Sequence, residues 1–313
     1  DHWNIDQLLP NLEIEQLTNL RYVHFEGDNG DALMHPRLVE IIDAFYQAPS
    51  KPDIAIWTNG AVRSEDWWYE LGQRYSPERF RVQFSIDGLE DTNHLYRVGM
   101  DYSKAINNAQ AFIRGGGSAA HRCLVFKHNE HQLEQIAQTS RVLGFEQFYF
   151  SPNDVARFYG QAQWPVVDQG VFTHNIEPTT LTDFDQYAYN DNPKLWPPFV
   201  DNRQEINTDN SCINFRYGQL HITYRGEVIP CCIYNDVLHS SDPLDKNFQE
   251  LVGDLDQINL HQTKLSKVLT ESYFNRLNNS ISQGVDPGRC GYWCGDKLAI
   301  TPAPTHFIPI VQI

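Results

Sequence analysis

The sequence predicts an α/β fold in which parallel strands are joined by crossover helices, followed by a hairpin that carries cysteines. From residue 21 onward, a unit of short apolar run, polar loop and amphipathic stretch recurs, which is typical of βαβ architecture. Between Cys212 and Cys232, a run of alternating apolar residues and a tight turn indicate two antiparallel strands. A second cysteine pair, Cys290 and Cys294, follows near the C-terminus. These three observations set the predicted fold class.

Five segments have the short apolar character of parallel strands, and we expect each of them to be followed by a helix. The predicted strands are residues 21–26, 53–57, 79–86, 122–127 and 146–151. Pro36 suits the first turn of one helix, Ser64 is expected to cap the next, and Asn129 with Gln132 has the spacing of a capping box. Residues 153–211 show no sustained period, so we expect an irregular segment there, with two more helices near 245–252 and 263–278.

Charge and length limit the classes of function. The 313 residues include 40 acidic and 24 basic side chains, a net charge of -16 that disfavours nucleic acid and anionic membranes as partners. No run of 18 apolar residues and no signal-peptide pattern is present, so we expect a soluble, cytoplasmic protein. In that compartment six cysteines favour bound metal or free thiols over disulfides.

The cysteine spacing predicts one metal site with four thiolates. Cys212 and Cys231 are separated by 18 residues, and Cys290 and Cys294 by three. Structural zinc is an alternative, although zinc sites usually pair cysteines at short spacing on both sides, and unliganded buried cysteines are another. Cys232 would face away from Cys231 on a strand, so we expect it to pack rather than bind. Cys123, within a predicted strand, is expected in the core.

Polar residues follow the predicted strands at their carboxyl ends, where ligands bind in barrels and in open parallel sheets. Each has an ordinary structural explanation as a turn, a cap or a surface ion pair, and their common location predicts one shared pocket. The candidate residues are Gly27, Asp28, Asn29, Gly30, Asp31, Thr58, Asn59, Ser85, Asp87, Arg97 and Asn129.

Two of these segments resemble motifs of the radical S-adenosylmethionine enzymes. Gly27-Asp-Asn-Gly-Asp31 is similar to the family's Gly-Gly-Glu-Pro loop, although the order of Gly and acid differs and Ala32 stands where Pro is common. Phe84-Ser-Ile-Asp-Gly88 with His94 and Arg97 resembles the family's strand-four motif. The resemblance implies that the glycine loop receives the amino group of S-adenosylmethionine and that Ser85 and Arg97 bind its carboxylate.

The cysteines resemble those of the C-terminal SPASM and twitch domains in the same family. These domains carry Cys-x9-15-Gly-x4-Cys, which Cys212, Gly226 and Cys231 satisfy. A twitch domain adds one later cysteine pair and holds a single auxiliary [4Fe-4S] cluster. Cys212, Cys231, Cys290 and Cys294 would be its ligands. The full SPASM pattern needs seven cysteines, which favours twitch.

The resemblance implies a partial (β/α)6 TIM-like barrel that lacks its first strand, with a small C-terminal twitch-like domain. The implied domains are a barrel at 1–155, an irregular linker or last barrel segment at 156–211, the cysteine domain at 212–300 and a tail at 301–313. The family's Cys-x3-Cys-x2-Cys triad, which binds the cluster that cleaves the cofactor, is absent from the 313 residues. We expect it to precede Asp1, with loss of the triad as the alternative. As given, the chain could not cleave the cofactor.

For the complete protein the resemblance implies an enzyme that uses a 5′-deoxyadenosyl radical to modify a peptide or a small metabolite. The cofactors would be S-adenosylmethionine and the iron-sulfur cluster, and the electron donor a flavodoxin or ferredoxin. The alternative hypothesis is a non-catalytic barrel protein that binds a ligand and has a structural four-cysteine zinc site.

Overall fold

The computed structural model describes residues 3–27, 30–152, 163–183, 185–194, 219–231, 234–235, 237–241, 245–270, 272–282 and 310–312. The chain divides into two compact units, residues 1–54 with 200–313 and residues 55–199. All three domain boundaries expected from the sequence fall outside the described residues, and they remain predictions.

Helices and strands alternate through the first half of the chain, as the sequence predicts. The described helices are α1 (Ile5–Leu12), α2 (Leu38–Tyr46), α3 (Glu65–Arg74), α4 (Glu90–Tyr96), α5 (Tyr102–Arg114), α6 (Leu133–Leu143), α7 (Lys246–Val252), α8 (Leu265–Thr270) and α9 (Ser272–Ser282). The described strands are β1 (Tyr22–Phe25), β2 (Asp53–Thr58), β3 (Phe80–Ser85), β4 (Ser118–Val125), β5 (Gln147–Pro152), β6 (Trp164–Asp168), β7 (Val171–Ile176), β8 (Tyr189–Asn190), β9 (Gln219–Ile222), β10 (Val228–Ile229) and β11 (Ile310–Gln312). Within the described part of the chain, every helix is too short or too polar to cross a membrane.

The first unit joins the two ends of the chain. In its sheet, β11 pairs in parallel with both β1 and β9, and β10 returns antiparallel to β9. The indole of Trp3 donates to the carbonyl of Thr223 at 2.9 Å, and Asn11 donates to the carbonyl of Leu260 at 2.8 Å. The sequence predicts a tail at 301–313, because the short segment Ile310–Gln312 has no turn signal that would indicate a strand.

The second unit contains a mostly parallel sheet. β3, β4 and β5 pair in parallel, and β8 adds an antiparallel edge beside β5. This confirms the predicted α/β class with parallel strands, and the hairpin of β9 and β10 confirms the antiparallel pair expected after Cys212.

Aromatic side chains and two glycines hold α3 and α5 against this sheet. Trp68 is fully buried and packs on Phe84 and Phe112, with ring centroids 5.2 and 5.9 Å away. Gly72 and Gly115 permit close helix contact, because a Cβ atom on either one would lie 2.3 Å from a backbone oxygen of the other helix. The apolar face of β3 is therefore covered by α3 and α5.

Two segments for which the sequence predicts no helix or strand have regular structure. β6 and β7 form an antiparallel hairpin. Its turn contains Gln169 and Gly170, both with positive φ (48° and 83°), as tight hairpin turns require. The segment before Arg97 forms helix α4. Thr92 stabilises its start by accepting the N–H of Leu89 at 3.2 Å.

Candidate functional site

Asp87 is the centre of a hydrogen-bond network at the carboxyl ends of β3 and β4. Its side chain is fully buried. One carboxylate oxygen accepts the backbone N–H of Leu124 at 2.6 Å, and the other accepts Nε–H of Arg97 at 2.6 Å. The backbone N–H of Asp87 donates to Oδ1 of Asn93 at 2.8 Å. The network therefore joins the end of β3 to α4 and β4.

Arg97 remains charged in this environment. Burial is the largest single influence and lowers the pKa of its guanidinium, but the charge and hydrogen bond of Asp87, together with nearby Tyr96 and Cys123, raise the pKa by more, so it lies above its usual value. The side chain is 27% exposed, and Nε is the only guanidinium nitrogen that hydrogen-bonds to a described residue. The remaining donors of the guanidinium can therefore serve a ligand.

Ser85 is the last residue of β3 and lies two positions before Asp87. Its side chain is half-buried, and among the described residues its hydroxyl has no hydrogen-bond partner. Ser85 therefore has a hydroxyl without a partner among the described residues, two positions before the carboxylate that binds Arg97.

Asn129 supports the Asp87 loop from the other side. Its amide group donates to the carbonyls of Asp87 and Leu124 at 2.9 and 2.8 Å, and its Oδ1 accepts the N–H of Phe126 at 2.8 Å. The prediction that Asn129 caps the following helix is wrong, because its side chain makes no capping bond and turns toward β3 and β4 instead. Both of its amide hydrogens are already used within the protein.

Thr58 and Asn59 form a compact turn after β2. The hydroxyl of Thr58 accepts the N–H of Gly60 at 2.9 Å, and Oδ1 of Asn59 accepts the N–H of Ala61 at 2.8 Å. Gly60 has φ +77°, and a Cβ atom there would lie 2.7 Å from the ring of Phe84. These contacts stabilise the turn itself, and ligand binding by Thr58 and Asn59 stays a prediction.

The glycine loop after β1 belongs to the first unit. Gly27 must lack a side chain, because a Cβ atom would lie 2.0 Å from the carbonyl oxygen of Gly30. Oδ1 of Asp31 accepts the N–H of Leu33 at 3.0 Å. Asp28 and Asn29, the middle of the predicted amino-group site, lie outside the described residues.

Of the four predicted cluster ligands, only Cys231 is described. It lies just after the hairpin of β9 and β10, is half-buried, and its carbonyl accepts the N–H of Tyr234 at 3.1 Å. Cys212, Cys290 and Cys294 lie outside the described residues. Within the described ranges, no three His, Cys, Asp or Glu side chains form a group that could hold a metal ion.

The hairpin that leads to Cys231 is stabilised by a buried carboxylate. Glu227 is 3% exposed. Its two oxygens contact the hydroxyl of Thr223 at 2.5 Å and Nε2 of His239 at 2.7 Å. Gly226 makes the turn with φ +88° and donates to the carbonyl of Thr223 at 2.9 Å. Cys231 therefore follows a well-anchored turn.

No protein-family model and no curated protein matches this sequence. Solved structures do match. SuiB from Streptococcus suis aligns with a TM-score of 0.52 and 12% identity, over 91% of this chain and 67% of SuiB. SuiB bound to its precursor peptide SuiA aligns with a TM-score of 0.53 and 11% identity, over 91% of this chain and 65% of SuiB. The structure of anSMEcpe with bound AdoMet aligns with a TM-score of 0.46 and 15% identity, over 86% and 69% of the two chains.

The chain has the fold of SuiB. SuiB has also been solved with bound S-adenosylmethionine. At this identity the match shows the fold alone, and the chain spans about two thirds of the length of SuiB.

The structure also brings together polar residues that the sequence analysis did not select. Gln83, Arg122, Tyr149 and Ser151 lie on the same sheet face as Ser85, opposite the aromatic side chains that pack on the helices. A signal was present in β3, where polar Arg81, Gln83 and Ser85 alternate with apolar residues. Such alternation in a strand covered on both sides indicates a polar interior surface.

Proposed function

We propose that this chain is part of a radical S-adenosylmethionine enzyme that modifies a peptide. The observation that carries the proposal is the placement of Ser85, Asp87 and Arg97 at the carboxyl end of β3, with the buried Asp87 carboxylate holding the Arg97 guanidinium. This is the edge at which α/β folds bind ligands. The fold shared with SuiB supports the same assignment.

Ser85 and Arg97 have the chemistry to hold the carboxylate of S-adenosylmethionine. The hydroxyl of Ser85 is available, and the partly exposed guanidinium of Arg97 has donors to spare. Hydrogen bonds from a cation to a carboxylate are about twice as strong as neutral ones. Asp87 would act as a positioning residue that fixes the guanidinium and would not touch the cofactor.

The remaining contacts with the cofactor are proposed from the sequence motifs alone. The glycine loop from Gly27 to Asp31 would receive the amino group of the cofactor, and Thr58, Asn59 and Asn129 would support binding from the ends of β2 and β4. Asn129 would contribute by shaping the Asp87 loop, since its amide is fully engaged there. When bound and reductively cleaved, the cofactor supplies a radical that abstracts hydrogen from a substrate, while the protein provides binding, orientation and exclusion of water.

We also propose an auxiliary iron-sulfur cluster on Cys212, Cys231, Cys290 and Cys294. The cysteine spacing supports it, and the anchored hairpin before Cys231 is a suitable support for a metal ligand, because neighbouring hydrogen bonds orient ligands. A flavodoxin or ferredoxin in the cytoplasm would supply electrons to such a protein.

A peptide is favoured over a small metabolite as the substrate. SuiB binds a precursor peptide and shares this fold. We therefore assign the substrate class by analogy with SuiB.

Calorimetric titration of the complete, anaerobically purified protein with S-adenosylmethionine tests the cofactor half of the proposal. We expect saturable binding, and we expect ATP, which shares the adenosine but has no methionine group, not to compete. Competition by ATP, or the absence of any binding, would overturn it. A Cys-x3-Cys-x2-Cys motif upstream of Asp1 in the reading frame is the expected sequence finding, and a reading frame without it would exclude reductive cleavage.

A further inference from the structure

We infer that a polar patch on the sheet of the second unit binds a carboxylate of the substrate, on an acidic side chain of the peptide. The patch consists of Gln83, Arg122, Tyr149 and Ser151. The inference rests on the proposed function for the identity of the ligand as a peptide. The patch itself follows from strand register, hydrogen bonds and charge.

Strand register places these residues next to each other on one face. Ser85 of β3 lies opposite Arg122 of β4, and Arg122 lies opposite Tyr149 of β5. Because side chains alternate along a strand, Gln83 shares the face of Ser85, and Ser151 shares the face of Tyr149. The patch therefore spans three neighbouring strands.

Direct hydrogen bonds connect the patch in two pairs. The hydroxyl of Tyr149 donates to Oε1 of Gln83 at 2.5 Å, and Nε–H of Arg122 donates to the hydroxyl of Ser151 at 3.2 Å. Burial raises the pKa of Tyr149 to about 12, although the nearby Arg122 charge opposes the rise. Tyr149 is therefore neutral at physiological pH and does not balance the charge of Arg122.

Gln83 and Arg122 each keep side-chain donors that no described residue accepts. Gln83 is 3% exposed, and its Nε2 group is buried and makes no hydrogen bond to a described residue. Arg122 is half-buried and has no carboxylate partner among the described residues, in contrast to the paired Arg97. A buried amide donor or a partly buried cation costs free energy unless it is paired. A ligand carboxylate would satisfy both groups at once.

The position of Arg122 relates this carboxylate to the cofactor. Ser85, which the proposed function assigns to the cofactor, is the direct neighbour of Arg122 across β3 and β4. An acidic side chain held by Arg122 would therefore fix a peptide beside the cofactor. The patch would select the substrate by charge rather than take part in the chemistry.

Two capped pentapeptides that differ only at the centre, acetyl-Ala-Ala-Glu-Ala-Ala-amide and its Gln counterpart, test the inference in the complete protein. We expect the Glu peptide to bind about tenfold more tightly than the Gln peptide, measured by ligand-observed NMR titration in the presence of S-adenosylmethionine. Arg122→Gln should remove that preference by weakening the Glu peptide alone. Gln83→Leu should reduce the preference in part, without any change of charge.

Arg141→Gln is the matched control, because it removes the same charge from an exposed position on α6. Its preference for the Glu peptide should equal that of the wild type. Equal or absent binding of both peptides to a wild type that binds S-adenosylmethionine would overturn the inference and leave the proposed function intact. Loss of S-adenosylmethionine binding in Arg122→Gln would overturn it differently, by assigning the patch to the carboxylate of the cofactor. Failure of the wild type to bind S-adenosylmethionine would instead count against the proposed function.

Discussion

The Nε atom of Arg97 donates to the buried carboxylate of Asp87 at 2.6 Å, just beyond the C-terminus of α4. The same carboxylate accepts the backbone N–H of Leu124 at 2.6 Å. A single side chain therefore connects three segments that meet at the predicted cofactor edge. Removing Arg97 would leave the buried carboxylate of Asp87 without its counter-charge, and removing Asp87 would leave the partly buried guanidinium of Arg97 without one.

Substitution of Asp87 should strongly destabilise the protein. We expect Asp87→Ala to lower the free energy of unfolding by about 3–5 kcal/mol, because it leaves the guanidinium of Arg97 without its counter-charge and the N–H of Leu124 without an acceptor. Asp87→Asn should cost less, since its amide oxygen can still accept from Leu124. Urea denaturation followed by circular dichroism measures both values.

Asp191→Asn provides the comparison for Asp87. Asp191 pairs with Arg141 at 3.3 Å, and both side chains are more than half exposed. We expect this substitution to cost less than about 1 kcal/mol, because solvent screens exposed ion pairs. Equal costs at Asp87 and Asp191 would show that burial of Asp87 does not matter for stability.

Asn129 should behave as a structural residue of the same loop. Asn129→Ala leaves the carbonyls of Asp87 and Leu124 and the N–H of Phe126 without their partner. We expect a loss of about 2–4 kcal/mol in unfolding free energy, measured by urea denaturation. Asn107→Ala, at an exposed position on α5, should leave stability nearly unchanged. A stable Asn129→Ala variant with weakened cofactor binding would instead indicate direct contact with the ligand.

The parallel strands could be predicted from the sequence because their apolar runs, caps and glycines are local signals. The loop residues Ser85, Asp87 and Arg97 could also be selected, since they follow a strand at the spacing of a known motif. Their pairing could not be deduced, because the Asp87–Arg97 contact depends on α4, whose start is stabilised by Thr92. The role of Asn129 could not be deduced for the same reason. Its residue type and position are typical of a helix cap, but its side chain hydrogen-bonds to Asp87, 42 positions earlier.

The polar patch of the second unit could not be predicted from the sequence, because it depends on the register of three strands. Gln83 and Tyr149 are 66 positions apart, yet their side chains hydrogen-bond. Each residue alone has an ordinary role in a strand. Only the alignment of β3, β4 and β5 shows that Arg122 and Gln83 share a face. Among the described residues, Nε2 of Gln83 has no acceptor there and Arg122 has no carboxylate partner.

Removal of the Ser85 hydroxyl should affect cofactor binding and not stability. We expect Ser85→Ala to weaken S-adenosylmethionine about tenfold or more in the complete protein, because a hydrogen bond to a charged carboxylate contributes about 1.5–3 kcal/mol. Calorimetric titration measures the affinity. The melting temperature should be unchanged, since the hydroxyl has no partner among the described residues. Ser103→Ala, on the exposed face of α5, is the control, and equal affinities of the two variants would argue against the carboxylate contact.

Cys231 should be required for an iron-sulfur cluster, whereas Cys123 should not. Burial raises the pKa of the Cys123 thiol well above its usual value, which disfavours the thiolate that metals require. We expect Cys231→Ser to lower the iron and inorganic sulfide content of the anaerobically purified protein, while Cys123→Ser retains both. Zinc without sulfide in the wild type would contradict the cluster and support a structural zinc site.

His121 should make the stability depend on pH. Burial lowers the pKa of its imidazole from 6.5 to about 4, and Nε2–H donates to the carbonyl of Ile86 at 2.8 Å. Above pH 6.5 the ring is neutral in both folded and unfolded chains. As the pH falls from 6.5 to about 4, the unfolded chain takes up a proton that the folded chain resists, so stability is lost over this window.

For the wild type we expect this histidine to account for a loss of roughly 2 kcal/mol between about pH 7.5 and about pH 5. Burial also lowers the pKa of His128 to about 4, so His128 also makes the protein less stable as the pH falls. The His121→Gln variant keeps this contribution of His128. His121→Gln should therefore flatten the curve of unfolding free energy against pH without making it level. Parallel curves for the wild type and His121→Gln would show that the buried imidazole does not resist protonation in the folded protein.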